Sequence, residues 1–273
     1  LAARIDRNTN KAACHQETAM SVASHAPDHI RAITPYQPGK PISELAREMG
    51  LAEASIVKLA SNENPLGMST HARDAARAAI SDLARYPDGG AFALKAALCR
   101  KFGVKSEQLV IGNGSNDILD MAAQAFLSPG RSAVYAQHAF AVYPLATQAR
   151  GAHGIEVPAK HFGHDLDAMA AAVSADTRII FIANPNNPTG TFLPGEEIEA
   201  FLGKVPQQVL VVLDEAYTEY LSSAQRYDAI AWTERFPNLL VSRTFSKAYG
   251  LAGLRVGYAI AHPDVAQVER VER

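Results

Sequence analysis

The sequence predicts an α/β fold: one mainly parallel sheet of seven strands with helices on both faces. Two observations carry this. From Gln108 onward, short apolar runs alternate with stretches of helical period, the order that a parallel sheet with helical crossovers produces. The runs Ile179 to Ala183 and Val211 to Leu213 are apolar at every position, as strands covered on both faces must be.

The elements follow in order. Pro35 to Pro41 is a proline-punctuated arm, and Ile42 to Met49 a short helix. His71 to Ala84 and Ala91 to Phe102 repeat apolar residues with helical period. Strand Leu109 to Ile111 leads through Gly112-Asn113-Gly114 into helix Ser115 to Leu127. Strand Ser132 to Ala136 precedes helix Ala141 to Ala149, and a short extended segment around Glu156 follows Gly154. Helix Leu166 to Val173 precedes strand Arg178 to Ala183, and helix Gly195 to Leu202 precedes strand Gln208 to Leu213. Strands Leu239 to Phe245 and Val256 to Ala261 complete the sheet, and "VAQVERVER" (265–273) reads as a helix cut in mid-course.

Composition narrows the function. Apolar content of 48% and charged content of 20% are ordinary for a globular enzyme, and 273 residues supply ample core. A formal charge of −2 gives no affinity for polyanions, so nucleic acid is excluded as a partner. No apolar run approaches the roughly 20 residues that span a bilayer, which excludes a membrane partner and makes the cytoplasm the default location. Cys14 and Cys99 have no metal or redox spacing, and Cys99 reads as a core or boundary residue. His161 and His164 flank Phe162-Gly163 ahead of Asp165, a triplet that reads as a solvated loop rather than a metal site.

The chemistry concentrates in three places. Lys247 closes the strand-like run ending Thr244-Phe245-Ser246, and Arg255 lies eight residues further on. Two hydroxyls and a guanidinium hold a phosphate dianion, and a lysine amine condenses with an aldehyde. Together they suggest a cofactor with one aldehyde and one phosphate, pyridoxal 5'-phosphate (PLP). Taken alone, the same run also fits a surface lysine with Arg255 in an unrelated ion pair. Second, the apolar strand at Val211 ends in Asp214-Glu215-Ala216-Tyr217. An acid at a strand's carboxyl end faces the crevice where open α/β sheets bind ligands, and Asp214 there can pair with a protonated pyridine nitrogen. Tyr217 can hydrogen-bond the ring's phenolic oxygen; a magnesium-binding or solvated acid is the other reading. Third, Asn184 to Gly190 is a proline-fixed turn from which the Asn187 amide could reach the same oxygen. The Gly112-Asn113-Gly114 turn lacks the third glycine of a dinucleotide fingerprint, since Asp117 occupies that position.

The motifs NPNNPTG (184–190), DEAY (214–217) and TFSKAYGLAGLRVGY (244–258), in that order, resemble a fold-type I PLP-dependent aminotransferase. LASNENPLG (59–67), RYPDGG (85–90) and GNGSNDIL (112–119) bring the resemblance closest to the histidinol-phosphate aminotransferase family. It covers about Ile33 to Val268. The resemblance implies the large PLP-binding domain over residues 51–273, an N-terminal arm over 20–50, and a small C-terminal domain missing from the chain. Residues 1–19 lack periodicity and precede Met20, so they are expected to be a non-native or disordered leader.

The resemblance also implies site roles. Lys247 holds the cofactor aldehyde and shuttles the proton, and Asp214 pairs with the ring nitrogen. Asn187 and Tyr217 bind the phenolic oxygen, and Phe140 stacks on the ring. The backbones of Gly114, Ser115 and Asn116 hold the phosphate with Thr244, Ser246 and Arg255. Tyr86 reaches the phosphate in a neighbouring subunit, so a homodimer is expected. Tyr36, Asn62 and Glu63 line the substrate pocket. The implied reaction is amino transfer from L-histidinol phosphate to 2-oxoglutarate, in histidine biosynthesis. An aromatic aminotransferase, a threonine-phosphate decarboxylase and an inactive PLP-binding fragment are the alternatives.

Overall fold

The structure is a computed structural model that describes residues 21–271 except Pro38. The expected leader over 1–19, Met20 and Cys14 lie outside the described residues. The seven predicted strands are present as one sheet: β1 (Leu109–Gly112), β2 (Ser132–Ala136), β3 (His153–Val157), β4 (Thr177–Ala183), β5 (Leu210–Asp214), β6 (Leu239–Thr244) and β7 (Gly257–Ala261). Their order is β1-β7-β6-β5-β4-β2-β3. Four of the pairings are parallel, and β7 runs antiparallel to both β6 and β1.

The helices are α1 (Asp28–Arg31), α2 (Ile42–Met49), α3 (Thr70–Ala79), α4 (Phe92–Phe102), α5 (Ser115–Phe126), α6 (Val142–Ala149), α7 (Leu166–Ala171), α8 (Gly195–Leu202), α9 (Ala229–Trp232) and α10 (Pro263–Val271). Alternation along the central strands sorts their side chains into two cores. Val211 and Leu213 pack with Leu98 of α4, Met169 of α7 and Phe201 of α8 on one face. Leu210 and Val212 pack with Ile118 and Leu119 of α5, Tyr143 of α6 and Ala266 of α10 on the other. β4 and β5 are almost wholly buried, which explains the apolar runs Ile179 to Ala183 and Leu210 to Leu213 within them. Cys99 packs against the first core as a partly buried residue.

Two differences from the sequence reading have local causes. The helix expected over His71 to Ala84 ends at Ala79 and tightens into a 3-10 turn at Ile80–Asp82. No residue from Thr70 to Asp82 is buried, so no packed face carries the helix further. The strand expected to end at Leu213 runs one residue further, placing Asp214 in register with Ala183 of β4 and Ser242 of β6. The acid is therefore held by the sheet. Among the described residues, no helix is long and apolar enough to cross a membrane.

After β2 the chain passes outward to β3, then returns on the other side of β2 to β4 and continues toward β7. This reversal opens a crevice at the carboxyl ends of the strands, where α/β sheets bind ligands. The turns after β1, β2, β4, β5 and β6 all converge there.

Candidate active site

A cavity of about 610 Å³ occupies that crevice. The ends of β4, β5 and β6 and the loops after them contribute Asn187, Asp214 with Tyr217, and Thr244, Ser246 and Lys247 to its lining. Ser115 and Asn116 open α5 at one end, Phe140 precedes α6, and Tyr36, Asn62 and Glu63 come from the N-terminal segment. Residues up to 219 positions apart thus meet in one place.

Asp214 is buried, and burial pushes its pKa up to about 6 against the restraining hydrogen bond from Tyr143. The Tyr143 hydroxyl donates to Asp214 Oδ2 at 3.1 Å. Asp214 Oδ1 is buried and has no hydrogen-bond partner among the described residues. An unsatisfied buried carboxylate oxygen is costly, so this atom is poised for a donor.

Lys247 Nζ donates to the Ser61 carbonyl at 2.9 Å. Burial lowers the lysine's pKa, with Arg255 adding to the effect and Glu63 and Asp214 opposing it. A lowered pKa raises the fraction of neutral, nucleophilic amine. Ser61 and Asn62 sit at φ of 70° and 50°, left-handed values that non-glycine residues adopt at some cost. Two contacts hold them there: the lysine on the Ser61 carbonyl, and Asn62 Nδ2 donating to the Tyr217 hydroxyl at 2.9 Å.

The third corner is built for an anion. Arg255 reaches across to the start of α5, with Nη2 donating to the Asn113 carbonyl at 3.3 Å and Nη1 lying 3.5 Å from Ser246 Oγ. The first-turn N–H groups of α5 and the helix dipole add positive potential. Gly114 makes this closeness possible: its φ is +87°, and a Cβ there would lie 2.5 Å from Arg255 Nη2. An amine, an unpartnered acid and an anion seat in one crevice suit a flat cofactor with an aldehyde, a ring nitrogen and a phosphate.

The aminotransferase class I and II family model matches residues 54–271. The chain belongs to that family. Histidinol-phosphate aminotransferase 1 of Thiobacillus denitrificans is 69% identical over 90% of this chain and 64% of its own length. Histidinol-phosphate aminotransferase 1 of Dechloromonas aromatica is 63% identical over 91% of this chain and 68% of its own length. The crystal structure of histidinol-phosphate aminotransferase from Sinorhizobium meliloti, in complex with pyridoxal-5'-phosphate, superposes with a TM-score of 0.83 at 30% identity. That match covers 92% of this chain and 66% of the other. The chain spans about 64% of the length of the first curated relatives it matches.

Of the residues singled out in the sequence, Gly114 and Tyr86 do not line the cavity. Gly114 stands behind its wall against Arg255, and Tyr86 is fully exposed. Tyr143 went unnoticed in the sequence. The available signal was a tyrosine in an apolar helical stretch three residues after Phe140, since a buried hydroxyl needs a partner. Its ring meets Phe140 edge-on at 5.9 Å and stacks on Phe181 at 4.7 Å, so it props the cavity wall as well as the acid. The solvated-loop reading of His164 is corrected. The residue is buried, its Nε2 accepts from the Ala183 N–H at 3.1 Å, and burial lowers its pKa to about 4. It is a structural acceptor at the end of β4. Among the described residues, no group of side chains is arranged to hold a metal.

Proposed function

We propose that this pocket binds pyridoxal 5'-phosphate and that the protein transfers the amino group of L-histidinol phosphate to 2-oxoglutarate, in the cytoplasm, for histidine biosynthesis. The observation that carries the reading is the buried, unpartnered Oδ1 of Asp214 in the same cavity as Lys247. The residues present fit the cofactor: an orphaned carboxylate oxygen for its ring nitrogen, an amine for its aldehyde, and an anion seat for its phosphate. The relatives' names support the substrate.

When bound, the cofactor supplies an aldehyde that takes up an amino group and a ring that delocalises the electron pair left on the amine-bearing carbon. Lys247 Nζ, its pKa lowered, takes the proton from that carbon and returns it one position along. Asp214 Oδ1 keeps the ring nitrogen protonated, and Tyr143 holds the other carboxylate oxygen so that Oδ1 points to the task. The Tyr217 hydroxyl, already accepting from Asn62, donates with Asn187 toward the phenolic oxygen. Thr244, Ser246, Arg255 and the backbones of Ser115 and Asn116 hold the phosphate. Phe140 covers one ring face, and Tyr36, Asn62 and Glu63 contact the substrate.

The test is spectroscopic. PLP added to the chain is expected to give a visible absorption band from lysine-bound cofactor, which L-histidinol phosphate discharges and 2-oxoglutarate restores. A band untouched by L-histidinol phosphate would refute the substrate, and no band would refute the cofactor.

We also infer a homodimer in which Tyr86 serves the neighbouring site. The segment 57–92 exposes Val57, Leu59, Leu66, Ile80, Leu83 and Phe92, an unusual density of bare apolar side chains for a free surface. Light scattering should give twice the chain mass, and Tyr86→Phe should weaken PLP binding by about 1 kcal/mol, the worth of one hydrogen bond. A monomer that binds PLP with full affinity would remove this expectation.

A further inference from the structure

On the face of the sheet opposite the cavity lies a second buried polar cluster that the proposed reaction does not use. Arg243 Nε and Nη2 donate to Glu215 Oε2 at 2.9 and 2.7 Å. Glu215 is fully buried, and the Arg243 side chain is only 12% exposed. The guanidinium lies over the Phe102 ring at 5.2 Å. Burial raises the Glu215 pKa, with Arg243 and then the Tyr227 hydroxyl opposing it, and Tyr227 accepts from Asn184 Nδ2 at 2.8 Å. Asn184 is itself pinned, with its N–H on the Asp214 carbonyl at 3.0 Å and its Oδ1 accepting from Leu193 N–H at 2.8 Å. Glu215 N–H donates to the Ser242 carbonyl at 2.8 Å.

Three members lie close in sequence to a site residue. Asn184 opens the turn that carries Asn187, Glu215 follows Asp214, and Arg243 precedes Thr244. Alternation turns Asp214 and Thr244 toward the cavity and Glu215 and Arg243 toward the opposite core. The cluster therefore ties together the ends of β4, β5 and β6 from behind.

A buried ion pair is poor evidence for stability, because desolvating two charges offsets their attraction. Fixing a unique geometry is the role such pairs fill best. We propose that Asn184, Tyr227, Glu215 and Arg243 are positioning residues that set the relative register of three strand ends, and with it the placement of Asn187, Asp214 and Lys247 around the cofactor. This rests on the cofactor reading given above.

The test separates stability from positioning. The double variant Glu215→Met/Arg243→Met replaces the pair by apolar side chains of similar reach. Its cofactor-free unfolding temperature is expected to equal or exceed the parent's, while its PLP dissociation constant rises about tenfold, a typical effect of outer supporting partners. The pH at which the visible band titrates should shift as well, because Lys247 changes its distance from Asp214, Glu63 and Arg255. Tyr227→Phe keeps the pair and the stacking on Trp232, which lies at 5.1 Å, and should shift affinity in the same direction by less. Should the double variant not fold, Tyr227→Phe decides by the same readouts. Variants that match the parent in dissociation constant and band pH overturn the proposal, as does affinity loss seen only where stability is lost. A parent chain that takes up no PLP overturns the cofactor reading and this proposal together, whereas normal uptake by parent and variants overturns this one alone.

Discussion

Lys247→Ala is expected to abolish the visible PLP band and to lower turnover by at least about a thousandfold, the range of a lost positioned base and nucleophile. The size follows from two roles falling on one atom. On the proposed reading Nζ is the amine that holds the cofactor and the base that moves the proton, and among the described residues no other lysine lines the cavity. Lys247→Arg should do no better. Guanidinium retains the positive charge near Glu63 and Asp214 but cannot give up its proton at any working pH. Charge alone is thus separated from nucleophilicity. Absorbance on PLP titration, followed by single-turnover mixing with L-histidinol phosphate, measures both effects. A visible band that persists in Lys247→Ala would place the cofactor on another amine and sink the assignment.

Much of this site was legible because its chemistry is written in residue types at strand ends. Lys247, Asp214 and Arg255 stand beside strands that are almost wholly buried, and such runs admit few readings. What escaped was set by contacts distant in sequence. Tyr143 is 71 positions from Asp214, and no local pattern announces their hydrogen bond. The Ser61 carbonyl that receives Lys247 is a backbone atom and leaves no trace in the sequence beyond its loop. His164 looked like part of a solvated loop because burial depends on β4 packing beside it. The four-residue helices Asp28–Arg31 and Ala229–Trp232 are too short to show a helical period. The antiparallel course of β7 likewise follows from its neighbours β1 and β6, and its own five residues would suit either direction.

Asp214→Asn is expected to move stability and function in opposite directions. In the free chain the carboxyl is buried and its pKa stands at about 6, against 3.8 for an unperturbed aspartate. A folded-state value above the unfolded one means that Asp214's contribution is fully present below about pH 4 and lost as pH rises through about 6. At pH 7.5 the free chain therefore bears the strain of a buried charge, and Asp214→Asn should relieve it by roughly 2 to 3 kcal/mol in denaturant unfolding. Cofactor binding reverses the sign. The ring N–H would meet the charge with a partner, so PLP affinity in the parent should fall as pH drops through about 6 and Asp214 takes up a proton. Asp214→Asn should flatten that acid limb and lower turnover by about 10²- to 10³-fold, the cost of removing one member of a buried pair. Tyr143→Phe leaves the carboxylate but removes the hydrogen bond that restrains its pKa, so its acid limb should move to higher pH with a smaller loss of turnover. Dissociation constants for PLP from pH 5 to 8 on the three proteins measure all of this, and an acid limb that survives in Asp214→Asn belongs to another group. The opposition of the two effects is what a preorganised site predicts: the unpartnered Oδ1 costs the empty fold stability because it is held ready for a proton the fold itself does not supply.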